Sequence, residues 1–270
     1  MTDRDPQPTQ AEKADRFRAL HEGEAFVMPN PWDAGSARAL EALGFEALAT
    51  TSSGFALTLG RRDGSVTLDE LAEHVPEIDR ATGLPVSVDL ENGFGPAPED
   101  AANAILRAAE AGAVGGSIED YDPAGEIYAL DYAVERVAAS CEAARQLDFP
   151  FTLTARAENH FRGNPDLDDT IARLRAFEQA GADVLYAPGL READQIRAVC
   201  EAVEKPVNVL ARPSFSMDEL ADLGARRISV GGSLAWVANE AMVEAARRIR
   251  ESGDFSGLKV SRRAGEWLGD

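Results

Sequence analysis

Four stretches of the chain repeat one local plan: "LEALGFEAL" (40–48), "AEAGAVGGSI" (109–118), "FEQAGADVLY" (177–186) and "LADLGARRISV" (220–230). In each, an amphipathic helical run ends on a glycine, and an apolar run begins within a few residues. Glycine past the last turn permits the left-handed backbone that stops a helix, because no Cβ meets the neighbouring carbonyl. This is the helix-to-strand joint of an α/β unit, and its recurrence constrains the chain to helices layered on a parallel sheet.

Short apolar runs near 25–29, 46–51, 85–89, 114–119, 151–156, 183–187, 206–210 and 227–231 read as buried parallel strands. Their starts lie roughly 29 residues apart, the size of a β-α unit with its loops. "TLDE" (67–70) and "SMDE" (216–219) are capping boxes that open helices, and Leu68, Leu71 and Val75 then follow helical spacing. No dinucleotide fingerprint follows the first strand, so a closed (β/α)8 barrel of the TIM type is favoured over an open doubly wound sheet. The length of 270 residues suits one such barrel. The expected organisation is an N-terminal polar segment and helix over 1–24, with 1–10 disordered and 11–22 helical, a barrel over 25–250, and a helical C-terminal tail ending in 251–270.

The formal charge of −20 repels polyanions, which argues against a nucleic-acid partner. Cys141 and Cys200 stand in helical stretches at no metal or redox spacing and read as reduced. Neither a leader-like segment nor a run of about 18 apolar residues is present, so the expectation is a cytoplasmic protein with no membrane partner. Phe255, Leu258, Val260, Trp267 and Leu268 give the tail an apolar load that suits packing against another subunit of a homo-oligomer, a dimer or tetramer.

In a barrel the chemistry sits at the carboxyl ends of the strands, and unusual polar residues collect there. The first strand ends in "PNPWDAGS", with Trp32 and Asp33, the second in "TTSSG", the third in "DLEN", the fourth in "IEDYD", the fifth in "TARAENH" and the seventh in "NVLARP", with Asn208. Asp89 and Glu91, two positions apart, would project together from a strand and repel unless something positive lay between them. With Glu119 and Asp120 they form an oxygen-rich set without His or Cys, which suits a hard cation such as Mg2+ and not zinc. The plain alternative is that Asp120 or Glu91 caps a helix or pairs with an arginine. Arg156 would set a fixed fork beside these acids, or merely a salt bridge to Glu119 or Glu158. Ser52, Ser53, Gly54 and Phe55 offer hydroxyls and amides for a carboxylate, and Asp63 lies where a loop could return to the metal. Tyr121, Tyr128, Glu158 and His160 are the candidate proton carriers. "VGGSLAW" (230–236) is either a phosphate cradle or the tight joint into the last helix.

Taken in order, "NPWDAGSARALEALGFEALATTSSGFALTLGRRDG", "PVSVDLENGFG", "GSIEDY", "TARAENHFRGNPDLDDTIARLRAFEQAGADVLYAPGL", "KPVNVL" and "ARRISVGG" resemble the isocitrate lyase/phosphoenolpyruvate mutase superfamily. The resemblance covers nearly all of residues 25 to 250. It implies a modified (β/α)8 barrel with a last helix exchanged between subunits, and Mg2+ binding an α-oxo carboxylate or its enolate. It also implies that Asp89 and Glu91 are the metal-associated acids, that Asp63 belongs to the metal-water network, and that Ser52, Ser53, Gly54 and Phe55 grip the carboxylate. Glu119 and Arg156 match further active-site positions.

One departure stands out. The isocitrate and methylisocitrate lyases of that superfamily carry a K-[KR]-C-G-H loop after the fourth strand, whereas here the loop reads "YDPAGEIYALDYA" (121–133), without Cys, Lys or His. The Lys and Asn expected of a phosphonopyruvate mutase are absent too. The expected function is therefore a Mg2+-dependent lyase on a 2-oxo acid, or on a compound yielding an enolpyruvate-type intermediate, by C–C cleavage or decarboxylation. The alternatives are a P–C mutase or hydrolase on a phosphonate such as phosphonopyruvate, with Arg61, Arg62, Arg162 or Arg212 serving the phosphoryl group, and a non-catalytic 2-oxo acid binding protein.

Overall fold

The computed structural model describes residues 7–258. The strands are β1 (Phe26–Met28), β2 (Leu48–Ala49), β3 (Val86–Asp89), β4 (Gly115–Glu119), β5 (Tyr121–Asp122), β6 (Glu126–Ile127), β7 (Thr152–Arg156), β8 (Val184–Tyr186), β9 (Val207–Leu210) and β10 (Arg227–Ser229). The helices are α1 (Gln10–Glu22), α2 (Ala34–Ala42), α3 (Ser52–Thr58), α4 (Leu68–Ala81), α5 (Pro98–Glu110), α6 (Leu130–Arg145), α7 (Leu167–Ala180), α8 (Ala193–Ala202), α9 (Met217–Asp222) and α10 (Ser233–Ser252).

Eight strands pair in parallel in the order β1-β10-β9-β8-β7-β4-β3-β2, and β5-β6 form a separate antiparallel hairpin. The amide of Ala49 donates to Pro29 O at 3.1 Å, linking the two ends of the sheet. The Asn30 side chain strengthens that seam. Its Nδ2 donates to Thr50 O, while its Oδ1 accepts from the amides of Val230 and Gly231. The fold is a (β/α)8 barrel, and all eight anticipated strands are present. At the four joints Gly44, Gly112, Gly181 and Gly224 have φ of 89°, 105°, 107° and 102°, the left-handed region expected of them. Thr67 and Ser216 cap α4 and α9 with full capping boxes.

Helix α1 closes the amino end of the barrel. Phe17 is fully buried, and a Cβ on Gly115, the first residue of β4, would lie 2.8 Å from its ring, so only glycine admits the helix there. His21 packs edge-on against Phe26 at the start of β1. The main core fills the space between strands and outer helices, with Ile105, Ile118, Leu153, Leu174 and Leu185 all buried. Of the tail expected to be helical over 251–270, only Glu251 and Ser252 are helical among the described residues: they end α10, which Gly253 stops in the left-handed conformation. Phe255 and Leu258 beyond it are exposed. Val260, Trp267 and Leu268 lie outside the described residues, as do residues 1–6 of the segment expected to be disordered.

Candidate active site

A cavity of about 510 Å³ opens at the carboxyl ends of the strands. Its wall includes Asp63, Asp89, Glu91, Glu119, Tyr121 and Arg156, and also Ser52, Ser53 and Asn208. Residues from six separate stretches thus converge on one space, which is what a closed barrel does to strand-end loops.

Arg156, the last residue of β7, organises the acids. Its Nη1 donates to Asp89 Oδ1 at 2.9 Å, its Nη2 pairs with Glu119 Oε2 at 2.9 Å and donates to Glu158 Oε1 at 2.7 Å, and its Nε donates to Glu158 Oε1 at 3.0 Å. Burial works against its charge, yet Glu158, Glu119 and Asp89 hold its pKa well above the usual value. Arg162, four residues after Glu158, adds a second fork, with Nη2 on Glu119 at 3.2 Å and Nε on Glu158 at 3.2 Å. Its guanidinium also covers the Tyr121 ring, 3.7 Å from the centroid, and so pins the β5-β6 hairpin over the cavity.

Asp89 Oδ2 accepts from the Ser52 amide at 3.2 Å, which ties the end of β3 to the start of α3. Glu91 stands beyond the strand in a turn with φ of 49°, the left-handed region that a residue with a Cβ rarely enters. The turn, rather than the strand pleat anticipated for it, therefore directs its carboxylate. Glu91 Oε1 is buried without a hydrogen-bond partner. Burial first, then the charges of Asp89 and Asp63, push its pKa up to about 8. Burial likewise raises Glu119 to about 8, with Glu158 and Asp89 adding to it against the pull of Arg156 and Arg162. These acids remain short of positive charge even with two arginines beside them.

Several expected residues lie elsewhere. Asp120, counted with the acidic set, turns away from the cavity: Oδ1 accepts from the Glu158 amide at 2.8 Å, and Oδ2 pairs with Arg173 at 3.0 Å. Trp32 and Asp33 are absent from the cavity wall. Asp33 caps α2 through the Ser36 amide, and the Trp32 amide donates to Ser36 Oγ. The Gly54 amide is taken by Thr51 Oγ1, and Phe55 stacks on His74 at 3.8 Å. Glu158 is fully buried behind Arg156 and Arg162, and it bears on the cavity through those two guanidinium groups. His160 is also off the wall, with its Nε2 buried and unpartnered. Tyr128 is buried and accepts from Asn92 Nδ2 at 3.1 Å, a packing role. Asn30 takes the Val230 and Gly231 amides, which makes the start of "VGGSLAW" a tight joint, while Gly231, Gly232 and Ser233 line the cavity.

The wall also holds Tyr186, Arg227 and Ser229, which sequence reasoning passed over. The signal available was a tyrosine and an arginine inside otherwise apolar strand runs, an unusual choice for a buried position.

The family model described as phosphoenolpyruvate phosphomutase matches residues 17–250. The chain belongs to the phosphoenolpyruvate phosphomutase family. It thereby stands in the isocitrate lyase/phosphoenolpyruvate mutase superfamily. A crystal structure of a candidate lyase/mutase from Burkholderia cenocepacia J2315 superposes with TM-score 0.93 at 53% identity, covering 97% of each chain. An oxaloacetate decarboxylase of Paraburkholderia xenovorans (strain LB400) is 33% identical, covering 89% of this chain and 83% of that protein. A 2-methylisocitrate lyase of Halalkalibacterium halodurans is 31% identical over 74% of this chain and 67% of its own. This phosphoenolpyruvate phosphomutase family member thus shares its barrel with enzymes that break carbon–carbon bonds.

Proposed function

We propose that the chain is a Mg2+-dependent lyase acting on a 2-oxo acid, or on a compound that yields an enolpyruvate-type intermediate, by C–C cleavage or decarboxylation. The observation that carries this reading is Arg156, held by Asp89, Glu119 and Glu158 and presented to a cavity that also contains the unpartnered Glu91 oxygen. Among the described residues no three His, Cys, Asp or Glu side chains are already grouped as a metal cage. The donor chemistry nevertheless fits a hard cation. The donors are all oxygens, one is an orphaned buried carboxylate atom, and burial together with neighbouring carboxylates pushes Glu91 and Glu119 toward protonation. Asp89, Glu91 and Glu119 would hold the ion, with Asp63 near Glu91. Bound there, Mg2+ supplies Lewis-acid stabilisation of an enolate oxygen.

The chain's own groups do the rest. Arg156 is locked in place before any ligand arrives, so its positive charge needs no reorganisation as negative charge grows on the oxo oxygen. The hydroxyls of Ser52 and Ser53 lie on the same wall for the substrate carboxylate. Of the anticipated proton carriers with a side chain able to reach a carbanion, Tyr121 is the one on the wall, under the Arg162 guanidinium. The hairpin that carries it contributes Tyr121 to the cavity wall, with Pro123 between its strands. A phosphonate reading draws less from the arginines expected to serve it: of Arg61, Arg62, Arg162 and Arg212, Arg162 alone lines the cavity, and it pairs with Glu119 and Glu158.

The test is a panel of 2-oxo acids and 2-hydroxy acids with Mg2+, read as release of pyruvate or CO2, alongside calorimetric binding of oxalate as an enolate mimic. Asp89→Ala is expected to weaken oxalate binding by at least tenfold, and unchanged affinity would sink the proposal. Oxalate binding without turnover of any substrate would favour a silent binding protein. Phosphorus NMR of phosphonopyruvate is expected to show no new signal.

A further inference from the structure

The deepest part of the cavity holds a charge without a counter-ion. Arg227, the first residue of β10, is 3% exposed and lines the cavity. Its guanidinium makes three contacts, all with neutral groups. Nε donates to Asn208 Oδ1 at 2.9 Å, Nη2 donates to Thr154 Oγ1 at 2.9 Å, and Nη1 lies 3.3 Å from His21 Nε2. His21 Nδ1 lies 2.8 Å from Phe17 O, so Nδ1 carries the proton and Nε2 is free to accept from Arg227. Burial, then the Arg227 charge, presses His21 down to about 3, and burial lowers Arg227 itself to about 9. At neutral pH the imidazole is therefore neutral and the guanidinium charged. Among the described residues no carboxylate stands within ion-pair distance of Arg227, although the chain has 47 Asp and Glu. A buried charge with no opposite charge beside it is unfavourable, so a chain this acidic could readily have supplied one.

This cation is continuous with the acidic rim. Arg156, Tyr186, Asn208 and Arg227 are register partners on four neighbouring strands. The Tyr186 ring centroid is 5.4 Å from the Arg156 guanidinium carbon, and Asn208 Nδ2 donates to Ser229 Oγ at 2.9 Å. Thr154, which Nη2 of Arg227 touches, lies two residues before Arg156 on the same face of β7, about 6.6 Å lower by strand rise. The cavity thus has two guanidinium levels. Acids neutralise the upper one, and the lower one is open. The two carboxyl carbons of a four-carbon diacid are three bonds apart, like successive Cα atoms, hence about 3.8 Å. With a hydrogen bond at each end, such a molecule spans the two levels.

We propose that Arg227, with Asn208, Thr154 and Ser229 around it, is a deep anion subsite that takes the second carboxylate of a short 2-oxo dicarboxylic acid and so sets the charge class of the substrate. This rests on the reading that the 2-oxo end engages the Arg156 rim. Arg227 being merely a filler of the barrel floor would predict no selectivity for a second carboxylate.

Calorimetry on the full chain with Mg2+ compares pyruvate with 3,3-difluorooxaloacetate, which cannot enolise. The wild type is expected to favour the diacid by about 30-fold, the scale of hydrogen bonds to a charged group. Arg227→Met is expected to cut that preference below about threefold while leaving pyruvate binding in place, and Arg227→Lys to restore part of it. Thr154→Asp places a carboxylate against Nη2. It is expected to raise the melting temperature, by pairing the lone charge, and to abolish the preference. A preference that survives in folded Arg227→Met or in Thr154→Asp overturns the subsite, and Thr154→Asp decides alone if the methionine variant does not fold. Wild type that binds neither acid refutes the 2-oxo acid reading itself, whereas pyruvate bound with no preference for the diacid refutes the Arg227 subsite only.

Discussion

Glu91 combines three unfavourable features in one residue: a left-handed backbone, an unpartnered buried oxygen, and a carboxyl raised to about 8 by burial, Asp89 and Asp63. Strain and a raised pKa together mark a residue kept for something other than stability. The pKa shift fixes the sign of a pH effect. The unfolded value is 4.5 and the folded value about 8, so the folded protein holds this proton more tightly. The resulting stabilisation is complete below the unfolded value and is lost as pH rises through 8. Glu91→Gln removes that loss. In EDTA the variant is expected to match the wild type near pH 4 and to exceed it at pH 8.5 by on the order of 4 kcal/mol, read from urea midpoints at equal m. A variant less stable than the wild type at pH 8.5 would show that Glu91 is already ionised against a favourable partner.

At the scale of elements, α3 couples packing to the site, because its first amide, Ser52 N, donates to Asp89 while Gly54 lies against three neighbours. A Cβ on Gly54 would meet Thr51 Cγ2 at 2.5 Å and Trp32 Cβ at 3.0 Å. Gly54→Ala is therefore expected to cost about 1–3 kcal/mol by overpacking and to lower turnover as the α3 start moves off Asp89. Ser216→Ala, which removes the cap of α9, is expected to cost about 1 kcal/mol with turnover unchanged. Denaturation and kinetics on both variants check the contrast. The same distinction governs what the sequence made legible. The glycine joints, capping boxes and strand runs follow from local backbone physics, and so the barrel and the rim positions of Asp89, Glu119 and Arg156 could be read. Glu91 reaches the same wall as Asp89, as expected, but by a left-handed φ that alternation along a strand does not describe. Asp120, one residue past Glu119, faces outward to Arg173, and nothing local separates the two carboxylates. Tyr186 and Arg227 escaped notice because only closure of the barrel tells which face of a buried strand looks into the cavity.

For the whole molecule, the outer surface of α10 raises a question that the barrel alone does not answer. Trp236, Val237 and Met242 are 46%, 66% and 61% exposed, and Phe255 just beyond the helix is 64% exposed. These exposed apolar side chains, spread around α10 and just past it on a chain of net charge −20, suit burial against another copy, in line with the homo-oligomer expected from the sequence. It also adjoins the site, since Trp236 lines the cavity and its Nε1 donates to Ser53 Oγ at 3.1 Å. Two forces then compete: apolar burial draws copies together, and like net charge drives them apart. Salt weakens the second, shortening the screening length from about 30 Å at 0.01 M to about 10 Å at 0.1 M, and leaves the first intact. Association is therefore expected to tighten as NaCl rises from about 10 to 200 mM, with dimers or tetramers dominating at the higher salt. Met242→Glu, which adds a charge at the most C-terminal of these α10 side chains without touching the cavity, is expected to give monomers at both. Light scattering across that range reads the outcome, and a wild type monomeric at high salt would mean that the exposed apolar side chains of α10 face water.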